Sequence, residues 1–346
     1  MEQSLFARFA ENLRDRRNTL VEWLGAASPE ERQVRLGPAP EKAMQDHFDV
    51  IESAIDKAHA HELGRCTVCD DFVGQDWLER DFTTSVCIDH LSGEERSRLE
   101  AELELSQKVQ QALLPQRVPQ LPGWEVAAFS RPASIVGGDY YDFGRFANGH
   151  QAFVIADVMG KGMPASMLMA SLQASLKIII PESTDPCTVM NRINQIFCHN
   201  IHLTKFVTLV VAELDTASGI LRYANAGHNP PYLVRQSNGD GAACTELLPP
   251  TGAAIGLIEE AHFEAKSVQL KLGDSLVFYT DGVTDAGVHS GTMFGEDRLR
   301  DYLRMNRHEP AGGLLRGILQ EVQVFTRDAA PSDDTTIMIV KRTGTA

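Results

Sequence analysis

Basic residues are few in this 346-residue sequence, because Lys and Arg number 32 against 47 Asp and Glu and the formal net charge is −15. A surface with this excess of negative charge repels nucleic-acid phosphates, which argues against a nucleic-acid partner. The sequence also lacks a secretory signal after Met1, and no apolar run approaches the ~20 residues needed to cross a bilayer. We therefore expect a cytoplasmic protein without a membrane partner.

Cysteine is also scarce, with six residues in the whole chain. Three of them are bunched as Cys66-x2-Cys69 and, seventeen residues later, Cys87-x2-His90, whereas Cys187, Cys198 and Cys244 are scattered. In a reducing compartment the bunched set favours a metal over disulfides, and two such pairs suit one tetrahedral Zn2+. Four protein ligands leave no open position, so this zinc site would be structural. The alternative is free thiols beside an incidental histidine.

The first third of the chain reads as helical. Apolar residues at helical spacing predict a helix from about 4 to 25, and Ser28 followed by Pro29 predicts a second, short helix that Gly37 to Pro40 would end. A third helix is expected from about 41 to 62, forming a helical hairpin with the first. With the zinc knuckle, residues 1–91 would form a regulatory segment, residues 92–117 a charged linker helix, and residues 118–346 the main domain.

The main domain alternates short strands and helices. Turns such as residues 215–219 are too short for parallel crossovers and favour antiparallel pairing, so we expect an α+β fold in which an antiparallel β-sandwich is flanked by helices. The predicted helices span residues 164–180, 185–200, 295–305 and 311–327. The predicted strands span residues 124–129, 151–156, 206–214, 220–226, 231–235, 264–270, 275–280 and 336–341.

Four aspartates stand at the ends of strand-like runs. Asp157 follows Phe153 to Ala156 and precedes two glycines and Pro164, which indicates a strand-to-helix elbow. The others are Asp139, placed before the strand predicted at 151, Asp281, placed after the strand predicted at 275, and Asp333, which opens the last strand together with Asp334. Each aspartate alone would pass for a turn or cap residue. Together they predict a single site.

Carboxylates gathered in one place need a counter-ion. At about 4 Å two unit charges repel by roughly 4 kcal/mol at an effective dielectric of 20, so four carboxylates would push apart or be protonated. Two divalent ions that prefer oxygen ligands, Mg2+ or Mn2+, would remove this conflict. Such a pair also activates water and stabilises in-line displacement at phosphorus.

The motifs that carry these aspartates resemble those of bacterial SpoIIE/RsbU-type PPM (PP2C-like) serine/threonine phosphatases. The resemblance runs from about residue 105 to 342, and five motifs in the right order make it specific. They are Gly137 to Asp142, Asp157 to Ala165, Ala226 to Pro231, Tyr279 to Asp285, and Asp333 to Thr336. The resemblance implies two packed sheets with helices outside.

The same resemblance implies the ligand set for two catalytic Mn2+ or Mg2+ ions. Asp157 would bridge both metals, Asp139 and the Val158 carbonyl would complete the first, and Asp281 and Asp333 would bind the second. Asp334 would be an outer-shell or extra ligand.

The motifs predict the roles of other residues less directly. Asp142 and Asp285 are expected to cap local structure. Met159 stands where eukaryotic relatives carry a histidine that acts as a candidate general acid, so the leaving group would be protonated by water or by nothing. Lys161 is a candidate phosphate ligand in place of an arginine. His228 is expected to stabilise its loop, with a role as general acid as the alternative.

The resemblance implies a phosphatase that hydrolyses phosphoserine or phosphothreonine on a STAS-type anti-sigma antagonist by direct attack of metal-bound water. The N-terminal segment would regulate it and bind an upstream regulatory protein. In similar proteins a linker helix can pair between subunits, so a homodimer and a monomeric connector both remain open. A non-catalytic signalling adaptor and a small-molecule phosphoesterase are the alternative functions.

Residues 41–90 resemble the DksA/TraR family, in which a helix runs into a zinc knuckle. Here His90 replaces the usual fourth cysteine, and the turn at 37–40 lacks the acidic tip that this family uses on RNA polymerase. The resemblance therefore implies a fold and not a polymerase role.

Overall fold

The computed structural model describes residues 2–26, 28, 40–74, 78, 82–200, 206–236, 245–288, 291–327 and 331–344. The chain divides into two compact units, Met1–Glu102 and Leu103–Ala346. The division falls inside helix α3, Gly93–Leu113, which occupies most of the predicted linker.

The first unit contains two helices that pack together, α1 at Glu2–Ala26 and α2 at Pro40–His59. Their apolar stripes share one core, in which Phe9 and Leu13 of α1 meet Ile51 and Ile55 of α2. The predicted hairpin is therefore present, although α2 ends three residues earlier than expected. A short 3-10 helix, Ile88–His90, follows. The short helix predicted after Ser28 lies outside the described residues.

The second unit is built on two antiparallel five-stranded sheets. The first sheet has the order β2-β3-β4-β5-β8 and the second β1-β10-β9-β6-β7. All their strand pairs are antiparallel, so the predicted fold class is confirmed. The strands are β1 Trp124–Arg131, β2 Tyr140–Arg145, β3 Gln151–Val158, β4 Val207–Leu214, β5 Ile220–Ala226, β6 Tyr232–Val234, β7 Thr245–Leu247, β8 Lys266–Gln269, β9 Ser275–Tyr279 and β10 Thr335–Arg342.

Helices cover the outer face of each sheet. Helices α4 (Gly162–Glu182) and α5 (Pro186–Asn200) share a core with the first sheet, and α7 (Gly295–Met305) and α8 (Ala311–Thr326) share one with the second. Because side chains alternate along a strand, Phe153 and Ile155 of β3 enter the core between the sheets, while Val154 enters the core under α4. Strands with both faces buried explain the continuous apolar runs in the sequence.

Two strands and one helical turn of the second unit were not predicted. Strand β2 contains Asp142 and Gly144, residue types that are depleted in strands. Strand β7 has only three residues at a sheet edge, and helix α6, Asp281–Thr284, is a single turn. Edge pairing and tertiary contacts outweigh local propensity at these places.

Helix α4 differs from one composition-based expectation. Among the described helices it alone is long and apolar enough to span a membrane by length and composition. The expectation that no such run exists is therefore wrong in those terms. Eight residues of α4 are buried, and the helix contacts β2 and β3, which accounts for its apolar composition as that of a core helix.

Candidate functional site

The predicted elbow after β3 is present. Asp157 is the penultimate residue of β3, and helix α4 begins at Gly162 with Lys161 as its N-cap. Gly160 and Gly162 have φ angles of 108° and 69°, a backbone conformation that favours glycine. The two glycines therefore let the chain reverse into the helix directly beside the carboxylate.

Asp281 and Asp333 stand at one edge of the second sheet. Strand β9 ends at Tyr279, which pairs with Ile337 near the start of the antiparallel strand β10. The residue after β9 and the residues before β10 are therefore neighbours. Their approach is close, because a Cβ atom on Gly282 would overlap the carbonyl oxygen of Asp334.

Thr280 joins this edge to the first sheet. Its hydroxyl donates to Asp139 Oδ2 at 2.7 Å and accepts the Thr336 backbone N–H at 2.9 Å. Asp139 directly precedes β2, so the expectation that the strand at 151 comes next is wrong. Asp139 is nevertheless held against the ends of β9 and β10.

Asp334 anchors the loop before Asp139. Its Oδ1 accepts the Ala133 N–H at 2.8 Å and its Oδ2 accepts the Gly138 N–H at 2.6 Å. A Cβ atom on Gly138 would lie 2.7 Å from the Val158 carbonyl oxygen, so this loop also abuts the end of β3. With both oxygens bound to backbone donors, Asp334 acts as a positioning residue for this loop.

Sequence reasoning did not find Gln110, which lies on α3 within the second unit. Its side-chain amide donates to the Gly137 carbonyl at 2.6 Å and accepts the Gly137 N–H at 3.0 Å. A Cβ atom on Gly137 would overlap the Asp334 carboxylate, so only glycine fits between these partners. No local signal marks a glutamine 27 residues from its partner.

Burial, together with the charges of neighbouring carboxylates, raises the pKa values of three of these aspartates. Burial, followed by the charges of Asp281 and Asp333, raises the pKa of Asp157 to about 7. Burial, followed by the charge of Asp157, raises the pKa of Asp139 well above its ordinary value. Burial, followed by the charge of Asp333, raises the pKa of Asp281. Asp157 thus lies within electrostatic range of Asp139, Asp281 and Asp333.

This set fits divalent cations. The side chains offer only oxygen atoms, Asp139 is buried and the other three are partly buried, and their mutual repulsion is what an Mg2+ or Mn2+ ion would relieve. One cation already acts on the cluster, because Lys161 Nζ lies 2.9 Å from Asp333 Oδ2. The assignment of each aspartate to a particular metal stays a prediction.

His228 has the structural role expected of it. It is buried beside Thr208, whose hydroxyl lies 2.8 Å from its Nδ1, and its backbone N–H donates to Asn225 Oδ1. Burial lowers the pKa of His228 to about 4, so the ring is neutral at pH 7. Thr208 pairs with Asp157 across β3 and β4, so the histidine supports the strand that carries the central carboxylate.

Two predicted caps differ from each other. Asp142 is not a cap, because it lies inside β2, is buried, accepts the Tyr140 hydroxyl at 2.5 Å and pairs with Lys177 of α4 at 2.7 Å. This ion pair ties α4 to the sheet. Asp285 does occupy the C-cap position of α6.

The first unit holds the Cys/His cluster, in which Cys66, Cys69, Cys87 and His90 place their ligand atoms within 4.8 Å of one another. Tetrahedral zinc with Zn–S bonds of ~2.3 Å separates two sulfurs by about 3.8 Å. The Cys69 and Cys87 sulfurs are 3.8 Å apart. His90 Nδ1 lies 2.9 Å from Cys87 Sγ and 3.9 Å from Cys66 Sγ. The four residues therefore supply the donor set of a zinc site, and with zinc bound the separation of His90 Nδ1 and Cys87 Sγ would widen from 2.9 Å to about 3.6 Å.

Backbone donors prepare Cys66 as an anion. The Cys87 N–H lies 3.4 Å and the Val68 N–H 3.5 Å from Cys66 Sγ. The Cys87 donor above all lowers the pKa of Cys66 to about 6. A thiolate is the form that binds a metal.

Comparison with known proteins adds to this geometry. The sequence profile of the family described as Stage II sporulation protein E (SpoIIE) matches residues 147–343. Over 70% of its own length, this chain is 30% identical to Protein IcfG of Synechocystis sp.. Over 71% of its own length, it is 26% identical to the Phosphoserine phosphatase RsbU of Bacillus subtilis. The SiaA-PP2C domain of Pseudomonas aeruginosa superposes with a TM-score of 0.63 at 21% identity, covering 72% of this chain and 99% of that domain.

The matches differ in how much of each relative they include. The chain spans 41% of IcfG and 72% of RsbU. The likeness to the SiaA domain, at its low identity, establishes a PP2C-like fold.

Proposed function

The chain belongs to the SpoIIE family, and we propose that it is a metal-dependent protein serine/threonine phosphatase. The observation that carries the proposal is the meeting of Asp139, Asp157, Asp281 and Asp333 at the edges of two sheets, where burial and mutual charge raise the pKa of three of them. The burial and mutual repulsion of ionised carboxylates are unfavourable, and a bound cation would offset both.

Two Mn2+ or Mg2+ ions fit these residues. Asp157 would bridge them, Asp139 and the Val158 carbonyl would hold the first, and Asp281 and Asp333 the second. When bound, the ions supply an activated water and neutralise the charge that develops at phosphorus. Phosphate monoesters hydrolyse among the slowest of reactions in water, so this assistance is what a phosphatase would need most.

Residues of the chain itself hold this constellation in place. Asp334 and Gln110 fix the loop that carries Asp139, and Thr280 orients the Asp139 carboxylate. Met159, 44% exposed, offers no proton to a leaving group. We infer that water protonates the serine or threonine oxygen as it leaves.

The proposed substrate is a phosphoserine or phosphothreonine on a small STAS-type partner protein. Support comes from the relative described as a phosphoserine phosphatase, RsbU, and from the resemblance of the motifs. The first unit, with one structural zinc at the Cys/His cluster, is the proposed regulatory segment in a cytoplasmic enzyme. Its proposed partner is an upstream signalling protein, and dimerisation through α3 stays a prediction.

Turnover of a phosphoserine peptide with added Mn2+ tests the proposal. We expect the wild-type protein to release phosphate, and Asp157→Asn and Asp281→Asn to lose roughly a thousandfold or more of this rate, as for loss of a central electrostatic group. Asp285→Asn, in the same motif but at a C-cap, is the matched control and should keep most of the rate.

Two outcomes would overturn the proposal. Mn2+ binding without turnover of any phosphoester would indicate an adaptor. Turnover of nucleotides or other small phosphoesters, but not of phosphopeptides, would indicate a small-molecule phosphoesterase. Retained Mn2+-dependent turnover in Asp157→Asn would refute the assigned site.

A further inference from the structure

Lys161 occupies an unusual position at the mouth of the aspartate cluster. Its ammonium lies 2.9 Å from Asp333 Oδ2 and 2.7 Å from the Ser332 carbonyl oxygen. In the parts of the chain that the structure describes, no other ion pair reaches the aspartates at positions 139, 157, 281, 333 and 334. A lysine thus provides the countercharge to a carboxylate that the proposed function gives to a metal.

The charge of Lys161 also acts on Asp157 and Asp281. Its side chain is 60% exposed, and a flexible four-carbon stem carries the ammonium. Lys161 can therefore leave Asp333 without disturbing a packed core. An ammonium and a divalent cation on the same carboxylate repel each other, so the two compete for Asp333.

The backbone around Lys161 favours an anion. Lys161 is the N-cap of the 21-residue helix α4, and the N-terminus of a helix attracts negative charge. Gly160 and Gly162 on either side adopt the positive φ angles of the turn, and the ammonium can move by rotation of its own side chain alone. A lysine released from Asp333 thus remains beside the entrance to the carboxylates, where a phosphate group would arrive.

We propose that Lys161 exchanges partners: it holds Asp333 in the metal-free protein, releases Asp333 to a divalent cation, and then donates to the phosphate of the substrate. The inference rests on the proposed function, because it assumes a metal at Asp333 and a phosphoester substrate. It gives the chain a phosphate ligand of its own and makes Lys161 a competitor of the metal.

Full-length Lys161→Met, which keeps most of the length of the side chain but removes its charge, separates the two halves of the exchange. By calorimetry without substrate, we expect it to bind Mn2+ about tenfold more tightly than the wild type, because no ammonium competes. With Mn2+ present, inorganic phosphate should bind about tenfold more weakly, and KM for the phosphopeptide should rise about as much while kcat changes little. Lys161→Arg, which keeps the charge, should restore most of the phosphate affinity.

Lys266→Met, on exposed strand β8, is the matched control and should bind both Mn2+ and phosphate as the wild type does. Unchanged or weaker Mn2+ binding by Lys161→Met would overturn the competition, and unchanged phosphate affinity would overturn the phosphate contact.

The affinities also separate this inference from the proposed function. If they shift as stated while no phosphopeptide is hydrolysed, the exchange holds and the phosphatase assignment fails. If the wild type hydrolyses the peptide and Lys161→Met matches it throughout, the exchange alone fails.

Discussion

The Cys/His cluster and the aspartate cluster are assembled in opposite ways. The four Cys/His ligands lie within residues 66–90, whereas the aspartates are spread from residue 139 to residue 333. Local turns bring the first set together, since Cys87 and His90 flank one 3-10 turn. The second set meets only because the ends of β3 in one sheet and of β9 in the other lie where β10 begins.

This difference determines what holds each cluster. The described residues of the first unit share one small core, which includes Cys66 itself, so a metal there would contribute directly to folding. In the described part of the second unit, three large cores hold the strands in place, so this fold can bear the repulsion between carboxylates. A metal at the Cys/His cluster would stabilise the fold of the first unit, whereas the fold of the second unit holds the aspartate cluster together.

Metal removal should therefore affect the two units differently, which is the largest expected effect. Because structural zinc in small domains contributes about 10–16 kcal/mol of apparent binding free energy, zinc removal or Cys87→Ser should unfold the region around residues 63–90. Removal of Mn2+ or Mg2+ should leave the sandwich folded. Hydrogen exchange measured separately over each unit checks this. Cys187→Ser, outside the cluster, is the control, and unchanged protection in zinc-free Cys87→Ser would contradict the comparison.

The pH dependence of stability should expose the strain in the aspartate cluster. The pKa of Asp157 is about 7 in the folded protein and ordinarily about 3.9, so between these values the folded form holds more protons than the unfolded form. Metal-free stability of the second unit should then fall as pH rises from 4 to 7, on the order of 2 kcal/mol from this group.

Thermal unfolding in a chelator at pH 4.5 to 8 measures that slope. Asp157→Asn should flatten it and raise the melting temperature at pH 8, because it removes a charge from the cluster. Asp215→Asn, in a hairpin turn where hydrogen bonds from Ser218 lower the pKa of the carboxyl, should not flatten it. A wild-type stability that rises across this window would contradict the raised pKa.

Gln110 tests how far the aspartate cluster depends on a distant element. Gln110→Ala removes two hydrogen bonds to Gly137, each worth about 1 kcal/mol, so we expect Mn2+ affinity to fall about tenfold as the Asp139 loop loosens. Gln110→Glu keeps the acceptor for the Gly137 N–H and should fall less. Calorimetric Mn2+ titration checks both, with exposed Gln111→Ala as control. Equal affinities in all three variants would show that the sheets alone fix Asp139.

We expect the smallest effect on activity from a substitution at Met159, the position at which the aspartate cluster lacks a general acid. Met159→His places a titratable ring two residues after Asp157, at a position whose side chain is 44% exposed and so is not packed in one orientation. We therefore expect kcat to change less than about tenfold, although a well-placed acid can give more. The pH profile of kcat on a phosphopeptide measures this. Met163→His, one turn along and similarly exposed, is the control. A large gain specific to Met159→His would show that leaving-group protonation limits the wild type.

Much of the fold could be predicted from local patterns. The helix at residues 295–305 and the strand at 220–226 agree with prediction residue for residue, because their apolar spacing and turn residues are strong. Strand β2 was missed, because Asp142 in its middle opposes strand formation until Lys177 of α4 neutralises it. The contacts of Gln110 and Asp334 were also missed or only partly foreseen, since each joins residues far apart in the chain.

The sequence by itself determined which residue types stand at which strand ends, where glycines permit the elbow, and the spacing of the Cys/His pairs. These features depend on neighbours within a few residues, where backbone geometry is set. Only the tertiary structure decided that Asp139 meets Thr280, that Asp334 clamps the loop before it, and that Lys161 reaches Asp333. Such contacts depend on the register and stacking of two sheets, which local sequence does not encode.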